Sequence, residues 1–188
     1  CAIKILSIDT ACDETAIALV LAEGGLEQPV ISVLDEALYS QVELHKEYGG
    51  VYPSLAKREH GRNLVPLLKT MLHKHTNPGS RSPAPHHFSK ATKDTLQQIL
   101  SREPELYEQF ITEMPNYAKP DVEYIAVTIG PGLEPALWVG INFAKALSYV
   151  WDIPVIPVNH MEGHVASVLI HNTIRSPESK TTLNTTQT

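Results

Sequence analysis

Three segments near the start of the chain carry the short apolar, β-branched runs that are typical of β-strands. They cover residues 4–10, 15–21 and 30–39. A polar, acidic turn separates the first two, and the turn signal Glu23-Gly24-Gly25 follows the second. Because only short turns lie between them, the pattern predicts an antiparallel β-meander.

Apolar residues adopt a helical spacing further along the chain. Those between residues 52 and 75 fall on one broad face, which predicts an amphipathic helix, and residues 135–151 are apolar on most faces, which predicts a largely buried one. Short strands are predicted at 123–129 and 154–158, with another helix starting at His160. This order predicts an α/β fold in which helices flank a mixed sheet.

Residues 77–120 interrupt that order. Their first part is rich in Pro, Ser and His, and two short helices separated at Pro104 are predicted after it. We expect a surface insertion that the fold can lose, since long surface loops cost little closure entropy. It would lie within one domain spanning residues 1–172, and the polar residues 173–188 are predicted to form a disordered tail.

Composition argues against a protein that binds nucleic acid alone and against a membrane protein. The chain has 188 residues and a formal net charge of −6, from 15 Lys and Arg against 21 Asp and Glu. Proteins that bind nucleic acid alone are usually basic, so this chain is expected at most to contribute one wall to a larger complex. We expect a cytoplasmic protein with no membrane segment, because no signal peptide, long apolar run or disulfide framework is evident.

Two histidines four residues apart are the first candidate for chemistry. If the segment is helical, His160 and His164 lie on one face and both can reach one metal ion. Surface or core histidines are the alternative. The pattern is not that of a zincin protease, where Glu directly follows the first His, whereas Glu162 here lies two residues on.

An acidic turn between the first two predicted strands is the second candidate. Asp9, Asp13 and Glu14 could hold a metal or act as a general base, although Asp is also an ordinary turn residue. Cys12 is expected to be a small apolar filler rather than a nucleophile, because no His flanks it.

Two further segments are less specific. The turn at residues 130–132 (Gly-Pro-Gly) joins a strand to a helix and could either bind an anion or be purely structural. A basic helix face is predicted to be solvated. Its members are Lys57, Arg58, Arg62 and Lys69.

Taken together, four segments resemble one family, the tRNA N6-adenosine threonylcarbamoyltransferases (TsaD). They are IDTACDETAIALV, QVELHKEYGGVYPSLAKREH, IGPGLEPALWVGINFAKAL and WDIPVIPVNHMEGHVAS. Residues 145–165 fit the family signature, including its spacing to both histidines. The resemblance covers residues 3–170 apart from 77–120, and it corresponds to the N-terminal lobe of these enzymes.

The resemblance implies an RNase-H-like lobe of the actin-like ATPase (ASKHA) fold. It implies transfer of a threonylcarbamoyl group from threonylcarbamoyl-AMP to N6 of the adenosine next to the anticodon in tRNAs that read ANN codons. By the same resemblance, His160 and His164 bind iron or zinc, and Asp13, with Glu14 second, is the essential carboxylate. Asp9 stands where the family usually has Glu, so we do not assign it a catalytic role.

The family's second lobe, which supplies most contacts to an adenine nucleotide between the lobes, has no counterpart in these 188 residues. The resemblance therefore implies a fragment or half of a split enzyme, inactive alone. It also implies a TsaB-like paralogue, a TsaE-like ATPase and tRNA as partners. A non-catalytic interaction module and a metalloprotease are the alternative functions.

Overall fold

The computed structural model describes residues 2–25, 28–75 and 87–167. Within them the strands are β1 (Ile3–Asp9), β2 (Glu14–Glu23), β3 (Val30–Ser40), β4 (Tyr124–Gly130) and β5 (Val155–Asn159). The helices are α1 (Val42–Lys46), α2 (Pro53–His75), α3 (Lys90–Ile99), α4 (Pro104–Glu113), α5 (Glu134–Trp151) and α6 (His160–Ala166). Each predicted element is present within about two residues of its expected bounds, and α1 was not predicted.

The five strands form one mixed sheet in the order β3-β2-β1-β4-β5. The first three strands are antiparallel, which confirms the predicted meander. β4 lies parallel to β1, and β5 lies parallel to β4 after the crossover through α5. The predicted α/β class, a mixed sheet flanked by helices, is confirmed.

The core lies between one face of this sheet and two long helices. Alternate residues of the central strands, such as Leu6, Ile8, Ile17 and Val127, are buried there. α2 packs on β2 and β3, whereas α5 packs on β1, β4 and β5. In the described part of the chain, no helix is both long and apolar enough to cross a membrane.

The helices α3 and α4 belong to this core. Their inward side chains, and that of Met114, are at most 2% exposed and pack in the same cluster as α2 and α5. They are Leu96, Leu100, Leu106, Phe110 and Met114. The prediction of a surface insertion is therefore wrong for residues 90–114, because these two helices supply apolar faces that the core buries. Residues 77–86 and the predicted tail at 173–188 lie outside the described residues.

Ion pairs also hold α4 against α2. Arg62 donates two hydrogen bonds to Glu105, of 3.0 and 3.2 Å, and Lys69 Nζ lies 2.7 Å from Glu113. The hydrogen bond from Arg62 lowers the pKa of the Glu105 carboxyl. The basic face of α2, predicted to be solvated, therefore partly contacts α4, although exposed ion pairs of this kind contribute little to stability.

Candidate functional site

The candidate residues meet at one edge of the sheet. Because β1, β4 and β5 are parallel neighbours, their carboxyl ends lie side by side there. The acidic turn follows β1, the glycine turn follows β4, and α6 with its histidines follows β5. Open α/β sheets generally bind ligands at this kind of edge.

The histidine pair sits on a short, capped helix. Asn159 starts α6, since its Oδ1 accepts hydrogen bonds from the backbone N–H groups of Met161 and Glu162. The Nε2 atoms of His160 and His164 are 3.0 Å apart, with His160 half-buried and His164 exposed. At that spacing both nitrogens can reach one ion at the usual roughly 2.0–2.1 Å. Two imidazole nitrogens at this spacing are compatible with part of a metal site, and the metal site stays a prediction.

Asp9 contacts this histidine pair, and the sequence pattern did not predict that contact. Its Oδ2 lies 3.0 Å from His160 Nδ1, and its Oδ1 accepts a 2.8 Å hydrogen bond from the Ala11 backbone N–H. When Nδ1 donates to Asp9, Nε2 of His160 carries a lone pair that faces His164 Nε2 here and could bind an ion. In many metal sites a carboxylate orients a ligating histidine in this way. Among the residues described, no three His, Cys, Asp or Glu side chains form a complete metal-binding group.

The acidic turn places its two candidate carboxylates at the same edge. Asp13 is half-buried, and Glu14, the first residue of β2, is exposed. Cys12 is exposed rather than packed, so its prediction as an apolar filler is wrong. Partial desolvation and the neighbouring Asp13 carboxylate raise the pKa of the Cys12 thiol, which disfavours the nucleophilic thiolate.

The glycine turn packs tightly against the acidic turn. Leu133 N–H donates a 2.8 Å hydrogen bond to the Ala11 carbonyl, and a Cβ at Gly132 would lie only 2.6 Å from that oxygen. Gly130 adopts a φ of 148°, which favours glycine. These contacts support a structural role for the turn, in holding the carboxylate-bearing loop after β1.

Four buried polar residues lie behind the acidic turn, and we call them the polar cluster: Thr15, Gln41, His45 and His60. His60 Nε2 lies 3.0 Å from the Cys12 carbonyl, and its Nδ1 lies 2.7 Å from Thr15 Oγ1. The Gln41 side chain bridges the two histidine rings. No role for these residues could be predicted from the sequence, because nothing in the hydrophobic pattern marks them as buried.

The unfolding free energy should fall as the pH is lowered through the range just below 6.5. Burial lowers the pKa of His60, against smaller opposing effects of the Cys12 carbonyl, Asp9 and Asp13. The unfolded chain then binds a proton at a higher pH than the folded chain does. Stability is therefore lost as pH falls from about 6.5 towards the lower folded-state pKa, by up to about 1.4 kcal/mol per pH unit.

Urea denaturation between pH 7.5 and 5 measures this slope. His60→Gln, which does not titrate, should flatten that part of the profile, whereas His73→Gln at an exposed position of α2 should not. If the free energy of unfolding changed with pH in the same way for the wild type and His60→Gln, the loss of stability would not be due to His60.

Comparison with known proteins gives one strong family match. The model of "TsaD: tRNA N6-adenosine threonylcarbamoyltransferase" matches residues 32–77 and 97–182, more than two thirds of the chain. A curated tRNA N6-adenosine threonylcarbamoyltransferase from Fusobacterium nucleatum subsp. nucleatum is 36% identical over 173 residues. That alignment covers 92% of this chain but 37% of the relative, so the chain spans little more than a third of that protein's length.

The solved structures that match this chain include two of low identity. YeaZ from Pseudomonas aeruginosa is 15% identical with a TM-score of 0.41, over 83% of this chain and 43% of that one. RuvC from Thermus thermophilus is 13% identical with a TM-score of 0.37, over 93% and 74%. The family assignment rests on the sequence match: the chain belongs to the tRNA N6-adenosine threonylcarbamoyltransferase (TsaD) family.

Proposed function

We propose that this chain is the N-terminal lobe of an enzyme that transfers a threonylcarbamoyl group from threonylcarbamoyl-AMP to N6 of the adenosine next to the anticodon in tRNAs that read ANN codons. The observation that carries the proposal is the meeting of two features at one sheet edge. These are the acidic turn with Asp13 and the histidine pair, linked by the 3.0 Å contact between Asp9 and His160. Family membership supports the choice of reaction.

His160 and His164 would hold the metal ion, iron or zinc, that the family implies. When bound, such an ion supplies a Lewis acid for the carbonyl of the threonylcarbamoyl group. Asp9 keeps the His160 ring in the orientation and tautomer in which Nε2 can bind, because its carboxylate accepts the Nδ1 proton. The exposed position of His164 leaves the pair open towards a substrate.

Asp13 would act on the attacking amine. The N6 amine of adenine attacks the carbonyl carbon of the threonylcarbamoyl group, the bond from that carbon to the AMP phosphate oxygen breaks, and AMP leaves with the electron pair. The proton released from N6 passes to the Asp13 carboxylate. Because an exocyclic adenine amine is a weak nucleophile, orientation by Asp13, with Glu14 as a second carboxylate, should supply much of the rate.

The other partners are part of the same proposal. An adenine nucleotide would bind against a second lobe, and we assign no residue of this chain to it. The net charge of −6 supports a tRNA site that this lobe shares with other chains. By family membership, these chains would include a TsaB-like paralogue and a TsaE-like ATPase.

A chimera tests the proposal directly. The part of the Fusobacterium nucleatum enzyme that this chain matches is exchanged for this chain, and the product is incubated with tRNA, threonylcarbamoyl-AMP and the TsaB-like and TsaE-like partners. Mass spectrometry of the digested nucleosides measures the modified adenosine. We expect Asp13→Asn to reduce the yield at least about 100-fold, which is within the range of general acid–base catalysis, and the matched change Asp94→Asn on α3 to leave it unchanged.

Two results would contradict the proposal. The first is a folded, unsubstituted chimera that forms no modified adenosine, which would favour a non-catalytic interaction module. The second is full activity of Asp13→Asn. A polypeptide of residues 1–188 alone is expected to form no product, since within the described residues it offers only two metal-binding histidines.

A further inference from the structure

We infer that Gln41, His45 and His60 form a directional hydrogen-bond relay that fixes the acidic turn, and that they are positioning residues for Asp13. The inference rests on the proposed function for its catalytic consequence. The relay itself follows from burial and from the donor and acceptor properties of the atoms involved.

Burial makes the hydrogen bonds of this cluster obligatory. Gln41, His60 and Thr15 are fully buried, and His45 is 3% exposed. A buried polar group without a partner costs about 1–3 kcal/mol, so each ring nitrogen and amide atom must find a partner of opposite character. The structure provides one for each of them.

The tautomer of His60 is set by a backbone oxygen. The Cys12 carbonyl can only accept, so His60 Nε2 must donate to it across 3.0 Å. In the neutral ring, Nδ1 is then an acceptor. It receives the hydroxyl of Thr15 at 2.7 Å and the amide group of Gln41 at 3.3 Å. Burial lowers the pKa of His60, so the neutral ring persists at neutral pH.

The tautomer of His45 is set by a backbone N–H group, that of Tyr52. The Tyr52 backbone N–H can only donate, so His45 Nδ1 accepts from it at 3.2 Å. His45 Nε2 therefore carries the proton and donates to Gln41 Oε1 at 3.1 Å. This contact orients the Gln41 amide so that its NH₂ group faces His60.

All the donors consequently point the same way, from Tyr52 through His45, Gln41 and His60 to the Cys12 carbonyl. Hydrogen bonds aligned in this manner polarise and strengthen one another. Gln41 also contacts the acidic turn directly, because its backbone N–H donates a 2.9 Å hydrogen bond to the Asp13 carbonyl. The carbonyls of two successive turn residues, Cys12 and Asp13, are thus fixed by His60 on α2 and by Gln41, the residue before α1.

Nitrogen-15 NMR of the imidazole rings in the 188-residue chain tests the relay without any assay of transfer. At pH 7.5 both rings should be in the Nε2–H tautomer. Gln41→Glu places a carboxylate oxygen against His60 Nδ1, so His60 should then be protonated on both nitrogens. A purely space-filling cluster would show no such response. An Nδ1–H tautomer on either histidine in the wild type would overturn the relay.

The chimera described above tests the positioning role. His60→Leu should lower kcat about 100-fold with little change in KM for tRNA, because a misplacement of about 1 Å can cost that much. His60→Gln keeps an N–H donor for the Cys12 carbonyl and should restore most of the rate. His73→Leu is the matched control at an exposed position of α2, and circular dichroism checks that each variant is folded.

The outcomes separate the two proposals. Wild-type kcat in a folded His60→Leu variant would overturn the positioning role even if Asp13→Asn is inactive. Should His60→Leu fail to fold, His60→Met provides the test, because it also lacks a donor for the Cys12 carbonyl. A wild-type kcat in folded His60→Met would have the same meaning. Full activity of Asp13→Asn would instead contradict the proposed function, whereas the NMR evidence for the relay would be unaffected.

Discussion

Replacing Phe110 by alanine should lower the free energy of unfolding by about 3–5 kcal/mol, the usual cost of truncating a buried aromatic side chain. Phe110 on α4 is fully buried. Its ring meets that of Phe143 on α5 edge to face, with the centroids 5.9 Å apart. Since whole domains are stable by about 5–15 kcal/mol, this single change should remove a large share of the total.

Urea denaturation followed by circular dichroism measures the loss. Glu108→Ala, two residues away on the exposed side of α4, is the matched control and should change stability by less than about 0.5 kcal/mol. Replacement of residues 87–120 by a Gly/Ser linker should abolish cooperative unfolding altogether. Wild-type stability in Phe110→Ala, or a cooperative unfolding transition in the linker variant, would show that this segment is a surface insertion after all.

Zinc binding should depend on His160 and His164 most and on Asp9 next. His160→Ala and His164→Ala each remove one of two ligands and should eliminate most of the calorimetric signal when zinc is titrated into the chain. Asp9→Asn keeps the size of the side chain but weakens its acceptor for the Nδ1 proton. It should reduce the affinity by about 10–100-fold, as the loss of such supporting groups does elsewhere.

His87→Ala is the matched control, since His87 is exposed and belongs to neither cluster. Equal zinc binding by the wild type and the His160→Ala, His164→Ala double variant would show that this pair is not the metal site. Wild-type affinity in Asp9→Asn would leave the pair intact and remove only the supporting role of the carboxylate.

The hydrophobic pattern predicted the fold better than it predicted the packing. Strand and helix periods extend over many residues, so β1 to β5 and the long helices could be recognised. The five-residue helix α1 lies in a polar stretch and is too short to show a period. The helices α3 and α4 were found, but an amphipathic pattern does not say which surface it covers, so their place in the core was missed.

In the candidate site, too, some features could be predicted from the sequence and others could not. The spacing of His160 and His164 is local, so it could be read from the sequence. The contact between Asp9 and His160 joins residues 151 positions apart. It depends on the order in which parallel strands assemble, which no local pattern contains. The buried state of His60 is likewise a property of the packed lobe, and a sequence shows only a polar residue on a helix.

The parallel pairing of β1 with β4 has a consequence for how the lobe folds. The meander β1-β2-β3 is made of contacts between near neighbours in the chain and can form early. The Leu133–Ala11 hydrogen bond, in contrast, closes a loop of more than a hundred residues. Contacts of such high sequence separation are slow to form. A partly folded chain with only its hairpins in place would therefore hold Asp9 but not yet bring His160 to it, so metal affinity should appear late in refolding.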